Sequence, residues 1–258
     1  MKERRKILQI RRYDKIKLKI FETRKEMGLH AAEDAASCMR SLLESKDEIN
    51  CMFAAAPSQN EFLEALAGIQ DIDWGRINAF HMDEYIGFEI GDPRSFNGYL
   101  SNKIFGKVPF KSVNLMNGKN DFRKECIRYE ELIRNQKLDV VFLGIGENGH
   151  IAFNDPVNAD FKDTNLIKVV ELDDACRRQQ VNDGCFPDID EVPKYALTAT
   201  IPCLMGGSFL FCIVPGELKA AAVKHTLTGP VNETCPASIM RKHENVVMYL
   251  DDKSAKDL

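Results

Sequence analysis

The stretch LDVVFLGIGENGHIAFNDP, residues 138–156, begins as an apolar run of strand length and continues into three glycines. Such a run is typical of a buried strand that leads into a loop. Open parallel sheets bind their ligands beyond the carboxyl ends of the strands, and glycines let the backbone come close to a small molecule. The stretch therefore predicts a strand of a parallel sheet, followed by a binding loop that carries His150 and Asp155.

A second stretch, INAFHMDEY at residues 77–85, has the same layout. Its apolar strand runs directly into a histidine and two carboxylates, of which Asp83 is the first. Such groups are costly to bury unless they are paired or used in function. Because two strand ends of a parallel sheet can build one site, we expect Asp83 and His150 to face a shared cavity.

Strands alternate with helices along the chain, which indicates an α/β fold. We expect a three-layer sandwich around a mostly parallel, Rossmann-like sheet, in one domain that spans residues 1–258. The period-two pattern of Ile16–Ile20 predicts a half-exposed edge strand, and the basic start Lys2–Arg12 predicts a solvated tail or strand flank. The polar segment after Pro156 has little periodicity and predicts a lid over roughly residues 157–187.

The loop after the predicted strand Ile49–Phe53 is a candidate anion site. Small residues, including Ala55 and Ala56, lead to Ser58 and Glu61, whose spacing is that of a capping box at a helix start. Free N–H groups and the positive end of a helix dipole attract a phosphate at such a place. An ordinary strand-to-helix turn with a serine cap explains the same residues, so the local sequence leaves both interpretations open.

The two motifs, in this order and at this separation, resemble those of the glucosamine-6-phosphate deaminases, also called glucosamine-6-phosphate isomerases. The first is HMDEY at residues 81–85, and the second is GIGENGHIAFNDP at residues 144–156. The resemblance continues through VPKYALT at residues 192–198 and covers roughly residues 16–250. It implies an enzyme that converts glucosamine 6-phosphate, or a close amino-sugar phosphate, to fructose 6-phosphate and ammonia.

The resemblance also implies roles for individual side chains. Asp83 is expected to move a proton between C2 and C1 of the sugar, and His150, oriented by Asp155, is expected to assist ring opening. Carboxylates and histidine suit both tasks when their pKa lies near neutral pH. Asn148 is expected to position the site, because a neutral amide cannot act as a base. Taken alone, each of these residues also has an ordinary structural explanation, such as a cap, a salt bridge or a turn.

Substrate binding is expected from the glycine loop and from one lysine. Gly146 and Gly149 would let the backbone approach the sugar phosphate. The resemblance maps a phosphate-binding lysine to Lys219, close to a predicted helix start. A lone surface lysine is the alternative explanation at that position.

Three departures from the family pattern concern the substrate site. Residues 55–58 read AAPS where the family usually carries a Thr-Gly-Gly-Thr-like loop, and the proline removes one N–H donor. Asp155 stands where the family usually has a glutamate, which is one methylene longer. The family's phosphate-binding arginine corresponds to Gln180, and an amide cannot copy the bidentate fork of a guanidinium. Arg177 or Arg178 could take its place.

Composition and charge narrow the classes of function. The 258 residues carry a net charge of -4 at pH 7, whereas nucleic-acid binding usually shows a basic surplus. Because no apolar run reaches the ~20 residues of a membrane span or forms the core of a secretion signal, we expect a cytoplasmic protein. The eight cysteines form no Cys-x-x-Cys pair and no cluster with histidine, which predicts buried free thiols. No sequence motif indicates a metal or an organic cofactor.

Other functions remain open at this point. An enzyme of the same fold group could isomerise a sugar phosphate without deamination, or could hydrolyse a phosphosugar lactone with the same carboxylate and histidine. A catalytically inactive sugar-phosphate-binding protein could have kept the pocket, although sensing needs no proton-transferring group. Assembly into a homo-oligomer is also left open, because members of the resembled family range from single chains to hexamers.

Overall fold

The computed structural model describes residues 7–182 and 184–258. Its strands are β1 Ile7–Tyr13, β2 Ile16–Phe21, β3 Ile49–Phe53, β4 Ile77–His81, β5 Asp83–Tyr85, β6 Ser112–Asn114, β7 Val140–Leu143, β8 Ile167–Glu171, β9 Tyr195–Ala199, β10 Phe209–Val214 and β11 Val246–Asp251. Its α-helices are α1 Arg24–Ser45, α2 Asn60–Ala67, α3 Phe96–Leu100, α4 Phe122–Asn135, α5 Asp174–Asn182, α6 Ile201–Met205 and α7 Ala220–Thr228. None of the described helices is both long and apolar enough to cross a bilayer.

Eight strands form one sheet in the order β1-β2-β11-β10-β7-β3-β4-β6. In the described chain, every neighbouring pair of this sheet is parallel except the pair β1–β2. Parallel strands place their carboxyl ends at one edge, so the loops that follow β3, β7 and β10 lie side by side. The predicted mostly parallel sheet is confirmed.

The sheet is the middle one of three layers. Successive side chains of a strand point to opposite faces, and in β7 Val141 packs into one hydrophobic cluster while Phe142 packs into another. The Phe142 cluster contains Met27 of α1 and Phe62 of α2, and the Val141 cluster contains Tyr129 of α4. Helices therefore cover both faces, as the predicted three-layer sandwich requires.

Helices α1 and α2 cross at very short distance. A Cβ atom added at Gly28 of α1 would lie 2.7 Å from Cβ of Glu61 and 2.9 Å from the backbone N of Phe62. A side chain at position 28 would therefore push the helices apart. Thr23 caps α1 by accepting a hydrogen bond from the N–H of Glu26, so the first turn of α1 begins at Arg24, beside the loop that precedes α2.

A second sheet, which the sequence analysis did not predict, consists of three antiparallel strands in the order β5-β9-β8. Asp83 lies on its strand β5 and pairs with Thr198 of β9. The sequence gives no separate signal for β5, because the carboxylates follow directly on β4 and were interpreted as the end of that strand. Asp83 is therefore held by strand pairing and does not sit on a free loop.

The predicted edge strand Ile16–Ile20 is an inner strand instead, which corrects that prediction. β1 pairs with β2 on its outer side, so Leu18 is fully buried and even Lys19 is only 9% exposed. The basic start of the chain was interpreted as a solvated tail or strand flank, and its part from Ile7 onward forms β1. Residues Lys2–Lys6 lie outside the described residues.

The lid expected over residues 157–187 stays a prediction. Its described part contains β8 and α5, and Asp183 lies outside the described residues. Helix α5 begins where Asp173 accepts a hydrogen bond from the N–H of Cys176 at 2.7 Å. The segment therefore combines a strand of the second sheet with a short helix.

Five of the cysteines are buried free thiols, as predicted: Cys51, Cys176, Cys203, Cys212 and Cys235. Burial raises the pKa of the Cys203 thiol to about 12. A thiol with so high a pKa stays protonated at neutral pH and is a poor nucleophile.

Candidate active site

A cavity of about 140 Å³ lies at the carboxyl ends of β3, β7 and β10. Asp83 from the small sheet and His150 from the loop after β7 both line it. The two groups that the sequence predicts to act together thus face one space. Five other predicted site residues line the same cavity: Ala55, Ala56, Ser58, Gly146 and Lys219.

Two side chains hold the His150 imidazole from behind. Its Nδ1 lies 2.9 Å from Oδ1 of Asp155 and 2.8 Å from Oδ1 of Asn148. Nδ2 of Asn148 donates a hydrogen bond to that same Asp155 oxygen at 2.7 Å. Because acceptor oxygens meet Nδ1, this nitrogen carries the proton, and Nε2 is left to act as the acceptor of the neutral ring. Asn148 and Asp155 therefore orient His150 and do not themselves line the cavity.

Asp155 is fully buried yet favours its charged form. Burial would raise the pKa of Asp155, but the hydrogen bond and the charge of His150, with hydrogen bonds from Asn148 and Cys176, hold that pKa below its ordinary value. The chain between His150 and Asp155 turns through Ala152, whose φ is 49°. The aspartate therefore reaches the imidazole although it is shorter than the glutamate of the family pattern.

His150, Asp155 and Cys176 are also close enough to hold a metal ion, since one ligand atom of each lies within 4.8 Å of the others. A metal binds the thiolate form of cysteine. Burial, together with the Asp155 carboxylate, raises the pKa of the Cys176 thiol far above its ordinary value. The thiol is therefore better suited to donate its proton toward Asp155 than to bind a metal.

His81, to which the sequence analysis gave no role, fixes the backbone of Asp83. Its Nε2 accepts a hydrogen bond from the N–H of Met116 at 2.8 Å, so the proton of the ring is on Nδ1, which donates to the carbonyl of Asp83 at 2.8 Å. Burial lowers the pKa of His81 from 6.5 to about 4. His81 is therefore a neutral positioning residue at neutral pH.

Glu84 fixes the part of the backbone that follows Asp83. Its buried carboxylate accepts hydrogen bonds from the backbone N–H groups of Tyr85, Phe96 and Asn97 and from the side-chain amide of Asn97. Burial nevertheless raises the pKa of Glu84, because these hydrogen bonds offset only part of the cost of burial. Glu84 thus ties β5 to the first turn of α3.

The Asp83 carboxyl group itself is poorly solvated. Only 7% of the residue is exposed, and Oδ1 has no hydrogen-bond partner among the described residues. Burial raises the pKa of Asp83 well above its ordinary value, and the Glu84 carboxylate raises it further. A carboxyl group whose pKa is raised in this way is suited to take up and release a proton.

The glycines of the loop after β7 are needed for steric reasons. A Cβ added at Gly146 would lie 2.2 Å from Cε1 of His150, so only a glycine lets the imidazole lie against this loop. Gly149 has a φ of 87°, and a Cβ there would lie 2.7 Å from Sγ of Cys235. Gly146 lines the cavity, whereas Gly149 shapes the loop from behind.

The predicted capping box of Ser58 and Glu61 does not form, which corrects that prediction. A 3₁₀ turn at Pro57–Gln59 precedes α2, and neither start has a side-chain cap. Oγ of Ser58 accepts a hydrogen bond from Gln59 instead, and Glu61 forms an ion pair with Arg24, with 2.7 Å between Oε1 and Nε. Arg24 therefore competes successfully for the carboxylate that the box requires.

Neither arginine proposed as a substitute at position 180 lines the cavity. The guanidinium of Arg177 donates to the backbone carbonyls of Ile189 and Val192, and Arg178 is exposed. That interpretation of Arg177 and Arg178 is therefore wrong. Gln180 does line the cavity, so its amide faces the space.

Arg24 and Gln59 are among the lining residues that the sequence did not predict. Gln59 is 1% exposed, and its Nε2 donates to the carbonyl of Ile213 at 3.1 Å, which joins the loop after β3 to β10. The available signal was their position, since each follows closely on a strand of the predicted parallel sheet. Neither residue belongs to a motif that indicates its contact.

Comparison with known sequences gives one family. The family model described as glucosamine-6-phosphate isomerases/6-phosphogluconolactonase matches residues 22–249. A glucosamine-6-phosphate deaminase of Listeria welshimeri is 37% identical over 209 residues, which are 81% of this chain and 87% of that protein. A glucosamine-6-phosphate deaminase of Streptococcus equi subsp. zooepidemicus is 33% identical over 189 residues, or 73% of this chain and 79% of that protein.

Solved structures have the same fold. A monomeric glucosamine-6-phosphate deaminase superimposes with a TM-score of 0.84 and 29% sequence identity, and the match covers 93% of this chain and 99% of that one. A 6-phosphogluconolactonase from Thermotoga maritima gives a TM-score of 0.75 with 22% identity, over 92% of this chain and 100% of the other. The likeness to the lactonase concerns the fold alone.

Proposed function

Since the chain belongs to the family of glucosamine-6-phosphate isomerases and 6-phosphogluconolactonases, we propose that it is a glucosamine-6-phosphate deaminase. The reaction converts glucosamine 6-phosphate, or a close amino-sugar phosphate, and water to fructose 6-phosphate and ammonia. One observation carries the proposal: Asp83, with its raised pKa, and the oriented imidazole of His150 line the same cavity. Proteins named as deaminases are also the relatives found at 37% and 33% identity.

The first step opens the sugar ring. Nε2 of His150 takes the proton of the hydroxyl group at C1, the bond from C1 to the ring oxygen breaks, and the imidazolium gives that proton to the ring oxygen. The imidazole gains a positive charge during this step, and the charged Asp155 behind Nδ1 stabilises it. Asn148 keeps the imidazole and the Asp155 carboxylate in position through a hydrogen bond to each. The product is the open-chain aldehyde.

The second step moves a proton along the open chain. Asp83 in its ionised form takes the proton from C2, and its protonated form returns a proton to C1 after the double bond has shifted. A proton of the amino group passes to O1 as the double bond shifts, so C1 becomes a hydroxymethyl group and C2 is then bonded to nitrogen as an imine. Water adds to C2, ammonia leaves with the nitrogen, and the ketone of fructose 6-phosphate remains. The raised pKa of Asp83 suits a group that must accept and release a proton in one cycle.

Substrate assays test the proposal against its alternatives. Purified protein is incubated with glucosamine 6-phosphate, galactosamine 6-phosphate and 6-phosphogluconolactone, and ammonia, ketose phosphate and acid are followed separately. We expect ammonia and ketose phosphate in equal amounts, and neither with Asp83→Asn. Ketose phosphate without ammonia would indicate a non-deaminating isomerase, acid above the spontaneous rate would indicate a lactonase, and binding without turnover would indicate an inactive binding protein.

We propose that the protein is located in the cytoplasm. Its buried free cysteines, such as Cys51 and Cys212, support this location, because free thiols are typical of proteins from a reducing compartment. The proposed substrate is a small soluble sugar phosphate. Assembly into a homo-oligomer stays a prediction, which analytical ultracentrifugation of the purified protein tests.

A further inference from the structure

The cavity has an uneven distribution of charge. Among its described lining residues, the lysine and arginine side chains are those of Arg24 and Lys219. The wall formed by α5 contributes only the neutral amides of Gln179 and Gln180. Lys219 lines the cavity and is 7% exposed, so it is shielded from bulk water. Among the described lining residues, Arg24 and Lys219 are therefore the candidates for binding an anionic group of a ligand.

Arg24 is brought to the cavity by helix packing. It lies one turn before Gly28, the residue at which α1 and α2 approach each other too closely for any side chain. This crossing places the guanidinium against the loop after β3, where one Nη2 hydrogen bond reaches the carbonyl of Pro57 at 3.0 Å. The position of Arg24 thus depends on tertiary packing and not on its own helix.

The guanidinium is held in one orientation with part of its hydrogen-bonding capacity unused. Both carboxylate oxygens of Glu61 bind one edge of the guanidinium, with Nε 2.7 Å from Oε1 and Nη2 2.8 Å from Oε2. Nη1 has no hydrogen-bond partner among the described residues. A planar guanidinium offers five N–H donors, so a fork held at Nε and Nη2 can still present Nη1 to an anion. Fixing the side chain in advance also reduces the entropy lost on binding.

We propose that Arg24 binds the phosphoryl group of the substrate, with Lys219 as the second cation, and so makes the cavity specific for a phosphorylated sugar. The inference rests on the proposed function for the identity of the sugar but not for the anion site itself. Ser58, next to the Pro57 carbonyl that Arg24 contacts, also lines the cavity and offers a hydroxyl donor. Arg24 is thereby a specificity-determining residue. It lies far along the chain from the motifs at residues 81–85 and 144–156.

Substitution of Arg24 by glutamine tests this assignment. Charge-assisted hydrogen bonds to a phosphate predict that KM for glucosamine 6-phosphate rises about 10- to 100-fold in Arg24→Gln. The value of kcat/KM for unphosphorylated glucosamine is expected to stay the same. A merely structural role would lower kcat/KM for the phosphorylated and the unphosphorylated sugar alike. Arg178→Gln removes the same charge from an exposed position outside the cavity and is expected to change neither.

Binding experiments separate this inference from the proposed reaction. Calorimetric titration with inorganic phosphate and with glucose 6-phosphate needs no turnover, and we expect both to bind the unmodified protein and to bind Arg24→Gln about 10- to 100-fold more weakly. Arg24→Lys keeps a charge but loses the fork, and intermediate affinity is expected. Equal affinity of Arg24→Gln and the unmodified protein would overturn the assignment, even if ammonia is released. Weakened phosphate binding without any ammonia release would instead leave Arg24 assigned and refute the deaminase.

If Arg24→Gln fails to fold, Gly28→Ala gives a second route. The added methyl group pushes α1 from α2 and moves Arg24 while leaving the guanidinium intact. Weaker binding of phosphate in folded Gly28→Ala supports the assignment. Unchanged binding in a variant whose melting temperature shows the expected packing defect contradicts it.

Discussion

Nδ1 of His150 lies 2.9 Å from Oδ1 of Asp155, and the amide of Asn148 contacts both side chains. Three residues of one loop thus form a closed hydrogen-bonded group behind the cavity. Such a group fixes the tautomer and the orientation of the imidazole, and its carboxylate lies where the imidazole gains charge during ring opening. The proposed acid–base function of His150 therefore depends on a charge that never meets the substrate.

Replacing Asp155 by asparagine tests that dependence. The amide keeps the size of the side chain but removes the negative charge, so the imidazolium loses its stabilising partner. We expect kcat for glucosamine 6-phosphate to fall by about 10² to 10⁴, with little change in the affinity for glucose 6-phosphate. Steady-state kinetics and calorimetry measure the two effects. An unchanged kcat would show that Asp155 has only a structural role.

Asp83→Asn is expected to remove activity and to stabilise the fold. In the folded protein burial raises the pKa of Asp83, so the ionised form is disfavoured there relative to the unfolded chain. The charge therefore destabilises the native state at pH values above the usual pKa of 3.8, and the neutral amide avoids this cost. Differential scanning calorimetry at pH 7 should show a higher Tm for the variant. A lower Tm would mean that the carboxylate is better solvated than its burial indicates.

His81 is expected to make stability depend on pH. Its pKa is about 4 in the folded protein and about 6.5 in the unfolded chain, so the unfolded chain takes up the proton first as the pH falls. The contribution of neutral His81 to the free energy of unfolding is fully present above pH 6.5. It is lost between pH 6.5 and pH 4, by about 3 kcal/mol in total. In His81→Asn this part of the pH dependence should disappear from urea unfolding curves. His225→Asn changes an exposed histidine and serves as the control.

Gly146→Ala should reduce catalysis without unfolding the protein. The added Cβ would lie 2.2 Å from Cε1 of His150, and the imidazole must move to accommodate it. Misplacing a catalytic group by about 1 Å costs on the order of 100-fold in rate, and we expect such a loss in kcat/KM. Gly75→Ala is the matched control, since its Cβ would meet nothing closer than 3.6 Å. Equal activity of the two variants would exclude the steric argument.

The sequence was sufficient to predict the large sheet and one half of the site. The apolar run before Gly144 and the polar residues after it are local signals, and the carboxyl-end rule for parallel sheets brings Asp83 to His150 without further information. The shared cavity follows from topology alone. For the same reason Lys219 could be expected near these groups, because it follows β10, the neighbour of β7.

The remaining features depend on contacts between distant segments. The second sheet requires β5 to pair with β9, although three other strands lie between them along the chain. A three-residue strand such as β5 also has no periodicity to reveal it. The capping box failed because Glu61 has a better partner in Arg24, which only the helix crossing at Gly28 brings near. Arg24 itself was missed for that reason.

The two proton-transferring groups are anchored in different sheets, Asp83 in the three-stranded one and His150 beyond a strand of the eight-stranded one. The distance between the two groups is therefore set by how the two sheets pack on each other. A shift of one sheet against the other would change that distance while the strands of both sheets stay paired.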